Sequence, residues 1–247
     1  MAGHLPPWLE GCVIAPPLPS RKNLVLKVKW SGKTCAAKVF GPGSGGRAAT
    51  EYRVLGLCSE HRLRTPRPIV LRDGVVIMSW LSGMPAFEVF LSRLRSAGGA
   101  DSRGRGAESF EVERSQVAPV LDGVAAWLAR FHRAFRCELR RGDAILKNFI
   151  CSGKVIYGID FEEAREGDPL EDVGQLCAHI LASGERFTTP LFDAARYFTL
   201  RYWARLGEDR SSELPHAVAS GLEHYARYRK DGSLLRRWAW RIRDEGL

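Results

Sequence analysis

The sequence predicts an α+β chain with a small strand-rich N-terminal part and a mainly helical C-terminal part, divided near residue 80. Three observations predict it. Two short runs of alternating apolar residues lie either side of a Ser-Gly-Lys turn near the start, two more runs follow a stretch with helical spacing, and beyond residue 85 the spacing is helical almost throughout. Strands gathered first and helices afterwards are the order of an α+β chain rather than of alternating α/β units.

Residues 1–20 carry five prolines and read as a lead-in. Residues 23–30 (NLVLKVKW) and 34–40 (TCAAKVF) read as strands joined at Ser31-Gly32-Lys33. In the first, Leu24, Leu26, Val28 and Trp30 face one way and Val25, Lys27 and Lys29 the other. After the glycine-rich residues 41–46, a helix is expected over 47–57, with Ala48, Tyr52 and Leu55 along one face. Thr65-Pro66-Arg67-Pro68 is a rigid turn, and short strands are expected at 69–71 and 75–80, joined at Arg72-Asp73-Gly74. These elements make a first domain of residues 1–80, and residues 81–247 make the second.

In the second domain Pro85 opens a helix to about residue 95. Residues 96–107 (SAGGADSRGRGA) have loop composition. A long amphipathic helix is expected over 115–135 through Val120, Val124, Trp127, Leu128 and Phe131. Two strands, 149–151 and 155–159, flank Ser152-Gly153-Lys154, and 172–243 is helical with breaks near Gly184 and 207–212.

Composition narrows the function classes. The 247 residues are 45% hydrophobic and 26% charged, ordinary for a soluble globular protein. No apolar run approaches the roughly 20 residues that cross a bilayer. No basic segment leads into an apolar one near Met1, so a cytoplasmic location and reduced thiols are expected for the six cysteines. None forms a C-x-x-C pair, which argues against structural zinc. The formal charge of +9 can attract nucleic acid, anionic lipid or phosphorylated ligands, but taken alone it is better read as an ordinary solvated surface.

The chemistry concentrates in Arg141-Gly142-Asp143-Ala144-Ile145-Leu146-Lys147-Asn148, followed by a strand, a turn and a strand ending in Ile159-Asp160-Phe161. Phosphoryl transfer needs a carboxylate to orient the attacking hydroxyl and accept its proton, and oxygen ligands to hold Mg²⁺ against nucleotide phosphates. Asp143 suits the first task; Asn148 and Asp160 suit the second. The D-x-x-x-x-N spacing, a hairpin and an apolar-D-F sequence resemble the aminoglycoside phosphotransferase and choline kinase group of the protein-kinase-like superfamily. Gly167-Asp168-Pro169-Leu170-Glu171-Asp172 is similar to that group's Gly-Asp-Pro-x-x-Asp segment. One departure is plain: Arg141 stands where the group usually has His.

The resemblance implies a bilobal protein-kinase-like fold that binds ATP and Mg²⁺, with Arg141 and Asp172 supporting the catalytic loop. It implies a strand lysine on the nucleotide phosphates, matched by Lys38, and a helical glutamate that holds it, matched by Glu51 thirteen residues on. Charge in an otherwise apolar strand is costly unless used, so Lys38 is notable in its own right. Met78, Trp80 and Leu81, ahead of Gly83, are similar to the hinge that presents backbone groups to adenine. The phosphate-covering turn falls at Ser20-Arg21-Lys22-Asn23, without a clear glycine. The resemblance runs from about residue 23 to residue 180.

Other motifs fail on their own terms. Gly41 to Gly46 satisfies G-x-G-x-x-G, but no strand ends on an acid about 20 residues later. Ser31-Gly32-Lys33-Thr34 lacks the first glycine of a P-loop, where Lys27 stands. His132 and Cys137 read better as a helix-surface histidine and a buried thiol than as a nucleophile pair. The C-terminal LLRRWAWRIR run is expected to pack its Trp face on the domain, with peripheral membrane or RNA contact as the other reading. The leading expectation is therefore a kinase for a small-molecule hydroxyl: a sugar, aminocyclitol or choline-like alcohol. Three alternatives stand beside it: an atypical protein kinase with a protein or RNA partner, a lipopolysaccharide-core sugar kinase, and a nucleotide-binding scaffold without turnover.

Overall fold

Strand β1 (Leu24–Trp30) alternates inward and outward residues along its length, and β2 (Lys33–Val39) returns against it through a two-residue turn. Ser31 and Gly32 in that turn both have positive φ, the geometry that matches the twist of a tight hairpin. The computed structural model describes residues 5–18, 20, 22–98 and 116–247. It forms two compact units, Met1–Ser82 with Gly158–Ala164, and Gly83–Tyr157 with Arg165–Leu247.

The first unit is built on an antiparallel sheet of order β1-β2-β4-β3, where β3 is Pro68–Arg72 and β4 is Val75–Ser79. Strand β2 is interior, so Lys38 lies between Val25 and Val76 and not on an edge. Leu26, Val28, Cys35, Ala37, Val75 and Ile77 form the core of this unit. The lead-in is part of that core. Helix α1 (Pro7–Glu10) buries Leu9 completely, Trp8 meets Trp30 edge-on at 5.7 Å, and Val13 and Leu18 bridge to Val28 and Val25 of β1. Helix α2 (Gly45–Glu60) starts inside the glycine-rich stretch and runs three residues past the predicted end, burying Ala48, Glu51, Val54, Leu55 and Cys58.

In the second unit β5 (Met84–Pro85) pairs with β7 (Phe149–Ser152), which neighbours β8 (Val155–Gly158). Pro85 therefore ends a strand, and α3 (Ala86–Gly98) begins one residue later. Most of the loop predicted at 96–107, and the predicted helix start at 115, lie outside the described residues. Helix α4 (Ala118–Ala134) carries Pro119 in its first turn and buries Val120, Val124, Trp127, Leu128 and Phe131. Strand β6 (Leu139–Arg140) pairs with β9 (Arg165–Glu166), ahead of α5 (Pro169–Leu181). Asp168 caps α5 by accepting the Leu170 N–H at 2.9 Å, and Pro169 occupies its first turn.

Helices α6 (Thr189–Leu206), α7 (Leu214–Ala226) and α8 (Gly232–Glu245) complete the chain. The break between α7 and α8 has no prolines and shows in the sequence only as Asp231-Gly232. Helices α5 and α7 pack at Gly174, where a Cβ would stand 2.4 Å from the Ala217 carbonyl carbon. In α8, Trp238 stacks on Phe187 at 4.6 Å while Trp240 is 65% exposed, so one tryptophan packs and the other faces solvent. Among the described residues no helix is long and apolar enough to cross a membrane.

Candidate active site

In the first unit the site is built around Lys38. Its Nζ lies 2.5 Å from Asp160 Oδ1, 2.8 Å from Glu162 Oε2 and 3.3 Å from Glu51 Oε2. Burial alone would lower the pKa of this ammonium; the Glu51, Asp160 and Glu162 carboxylates outweigh it and hold the pKa above its ordinary value. Lys38 is thus a fixed cation at neutral pH. Glu51 comes from α2 and is itself buried, and it also accepts the Phe161 N–H at 2.6 Å. One glutamate therefore fixes both the strand lysine and the segment that carries Asp160.

That segment is strained. Asp160 has φ of +66°, a left-handed conformation that a non-glycine residue adopts at a cost of about 1–3 kcal/mol and that recurs at functional positions. Glu162, two residues on, faces Lys38, accepts the Asn23 amide and lies 3.8 Å from Arg47. Glu163 pairs with Lys22 at 3.2 Å and with Arg47 at 3.4 Å. The acids after Asp160 thus hold Lys22 and Asn23 of the predicted phosphate turn, whose Arg21 lies outside the described residues. In the predicted hinge Met78 is buried in β4, while Trp80 and Leu81 are half-buried and Lys27 lies 4.7 Å from the Trp80 ring centre.

In the second unit the loop around Asp143 hangs on one carboxylate. Asp172, fully buried on α5, accepts the Arg141 N–H at 2.7 Å and the Gly142 N–H at 3.1 Å. Its Oδ2 also lies 3.1 Å from His132 Nε2, and His132 Nδ1 lies 2.7 Å from the Tyr202 hydroxyl. His132 is therefore buried in the support of the loop, which corrects its reading as a surface histidine. Cys137, read as buried, is only half-buried. The Arg141 side chain is fully buried, with its guanidinium 4.5 Å from the Phe149 ring centre, 5.5 Å from that of Trp127, and donating to the Asn148 carbonyl at 3.3 Å. It braces the loop from below by stacking, where an imidazole could not reach as far.

Asn148 closes the loop. Its Nδ2 donates to the Asp143 carbonyl at 2.9 Å and to Asp143 Oδ2 at 3.0 Å, so the five-residue spacing brings the amide onto the carboxylate. The 3-10 turn Leu146–Asn148 supplies the geometry. With Nδ2 engaged in both bonds, Oδ1 is the acceptor atom of the Asn148 side chain. The Asn148 amide carbonyl of the second unit and the Asp160 carboxylate of the first are each oxygen donors of the type that a hard cation takes. Among the described residues no three His, Cys, Asp or Glu side chains form a group that could hold a metal ion.

No family profile matches the chain, and no curated protein sequence does. Solved structures do. An amicoumacin kinase, hAmiN, in complex with AMP-PNP, Ca²⁺ and Ami is 15% identical, with TM-score 0.52 over 93% of this chain and 88% of that one. The APH(2")-IIa of a streptomycin–ATP ternary complex is 12% identical, with TM-score 0.57 over 89% and 85%. Choline kinase LicA from Streptococcus pneumoniae is 14% identical, with TM-score 0.52 over 89% and 88%. The fold is protein-kinase-like.

Within that kinase-like fold sequence reasoning missed Glu162 and His132. Nothing in Asp160-Phe161-Glu162-Glu163 says which acid faces a strand lysine more than a hundred residues earlier. His132 gave a faint signal: it follows Leu128 by four residues and so falls on the buried stripe of α4. A separate cavity of about 580 Å³ in the second unit is lined by Cys137, Gly167, Asp168, Trp203, Glu208 and Arg210 among others, and by no residue of the 141–148 loop.

Proposed function

We propose that this chain is a phosphotransferase that moves the terminal phosphoryl group of ATP, held with Mg²⁺, onto a hydroxyl of a small molecule. The observation that carries the reading is the pair of assemblies built by its two units. One is a buried cation gripped by Glu51 and set beside Asp160; the other is a carboxylate, Asp143, clamped by Asn148 on a loop hung from Asp172. The protein-kinase-like fold, shared with kinases whose acceptors are small molecules, supports it.

In this reading residues 1–80 are the nucleotide-binding domain and residues 81–247 carry the catalytic loop. ATP with its cation supplies the phosphoryl group and the charge that offsets its oxygens. Lys38, kept protonated by its three carboxylates, holds nucleotide phosphate oxygens, and Glu51 keeps it in place. Met78, Trp80 and Leu81 offer backbone and apolar surface to the base. Asn148 Oδ1 and the Asp160 carboxylate bind the cation. Asp143 accepts a hydrogen bond from the acceptor hydroxyl, aligns it and takes its proton, while Asn148 Nδ2 fixes the carboxylate rotamer. Arg141 and Asp172 touch neither substrate and position the loop.

Calorimetric titration with AMP-PNP and Mg²⁺ tests the nucleotide half. Wild type is expected to bind, and Lys38→Ala to bind at least about tenfold more weakly, the loss of one charge-assisted contact. Wild type that binds no nucleotide would contradict the reading.

A further inference from the structure

Next to Asp143 the second unit carries a group of cations and aromatics that the phosphoryl-transfer chemistry does not use. Lys147, four residues after Asp143 in the same loop, is exposed and lies with its Nζ 4.9 Å from the Phe87 ring centre. Phe87, in the first turn of α3, meets His179 of α5 edge-on at 5.0 Å. His179 in turn lies 6.4 Å, centre to centre, from Tyr225 of α7. The Tyr225 hydroxyl donates to the Gln175 carbonyl at 3.3 Å, and the Gln175 side chain accepts the Ala144 N–H at 2.9 Å, so the group is tied to the residue after Asp143. Arg229 follows α7 and pairs with Asp231 at 3.0 Å, and Asp231 also pairs with Arg186.

The charge balance has a sign. Asp231 neutralises one of Arg186 and Arg229, and Lys147 has no carboxylate partner among its described contacts. Apart from the catalytic Asp143, the group is left with an excess of positive charge. His179 does not offset it: burial first, then the Lys147 and Arg229 charges, push its pKa down to about 3, so the ring is neutral. Tyr225, pushed up by burial and by Asp143, keeps its proton. A cationic acceptor approaching the loop that carries Asp143 would be repelled by Lys147, while an anionic one would be drawn there.

We propose that the acceptor carries an anionic group, a phosphate or a carboxylate, near the hydroxyl that is phosphorylated, and that Lys147 receives it. The proposal rests on the phosphotransferase reading and selects among its acceptors: sugar phosphates or sugar acids in place of aminocyclitols and choline-like alcohols. Lys147 is then a specificity residue, and Phe87 supplies an apolar wall.

The test is binding to the full chain saturated with Mg²⁺ and AMP-PNP, titrated with matched ligands: sugar phosphates and sugar acids, their neutral parent sugars, and choline. The expected result is that anionic members bind, that their neutral parents bind more weakly, and that choline does not bind. Lys147→Gln should weaken the anionic members by about tenfold, the loss of one charge-assisted contact, with AMP-PNP affinity and melting temperature unchanged. The phosphate and carboxylate arms show which anion is preferred. Preference for a neutral or cationic member, absence of binding by every anionic member, or indifference to Lys147→Gln overturns the proposal. Failure of the phosphotransferase reading would appear instead as no AMP-PNP binding.

Discussion

Asp172 holds the Arg141 and Gly142 N–H groups and one edge of His132; Asp172, Arg141 and His132 are buried in the second unit. Removing it leaves buried donors without an acceptor, a loss of about 3 kcal/mol or more. Asp172→Ala is therefore expected to lower unfolding free energy by that amount in urea denaturation, and a change below about 1 kcal/mol would contradict its role. Glu51 makes a second residue-scale case. Glu51→Gln keeps an acceptor for the Phe161 N–H but removes the charge facing Lys38, so nucleotide affinity should fall more than stability does; the same two measurements separate them. At this scale the sequence showed residues whose spacing is local or regular. Asp143 and Asn148 meet because five residues on a tight loop bring them together. Glu162 and His132 stayed hidden because their partners are distant in the chain and neither has a spacing of its own.

Elements were legible where periodicity was clean and blurred where chain ends and short pairings decide. The four strands of the first sheet and the helices of the second unit follow their apolar spacing. Strands of two residues, such as β5 and β6, have no period to read. The proline-rich start read as a lead-in because prolines break any pattern, yet Leu9 is fully buried against the first sheet. Leu9→Ala is expected to cost about 2–5 kcal/mol by cavity formation, measured in the same denaturation; an unchanged midpoint would return residues 5–18 to the status of a tail. The glycine before β5 is set by contact: a Cβ on Gly83 would stand 2.3 Å from the Cys151 carbonyl oxygen. Gly83→Ala should therefore break the β5–β7 pairing and lower the melting temperature by several degrees.

For the whole molecule, acid sensitivity has a specific source. His179 titrates near its usual value of about 6.5 when unfolded and near 3 when folded. The neutral ring is favoured by the fold, so its contribution is complete above pH 6.5 and is lost as pH falls towards 3. The slope is about 1.4 kcal/mol per pH unit, so stability at pH 5 should be about 2 kcal/mol below its value at pH 6.5 from this residue alone. His179→Leu should flatten that part of the profile; an unchanged slope would place the acid sensitivity elsewhere. The fold class was legible at this scale because gathered strands followed by gathered helices leave few architectures. The acceptor was not, because the recognition proposed above draws on side chains from α3 and the 141–148 loop, which no local pattern joins.

The most direct measurement is transfer of the γ-phosphoryl group of ATP, with Mg²⁺, to a mixed panel of hydroxyl compounds, wild type beside Asp143→Ala. Acceptor-dependent transfer by wild type, falling about 10²- to 10⁴-fold in Asp143→Ala, is the predicted result. Equal transfer by both proteins would remove Asp143 from the chemistry, and no transfer by wild type to any acceptor in the panel would contradict the account.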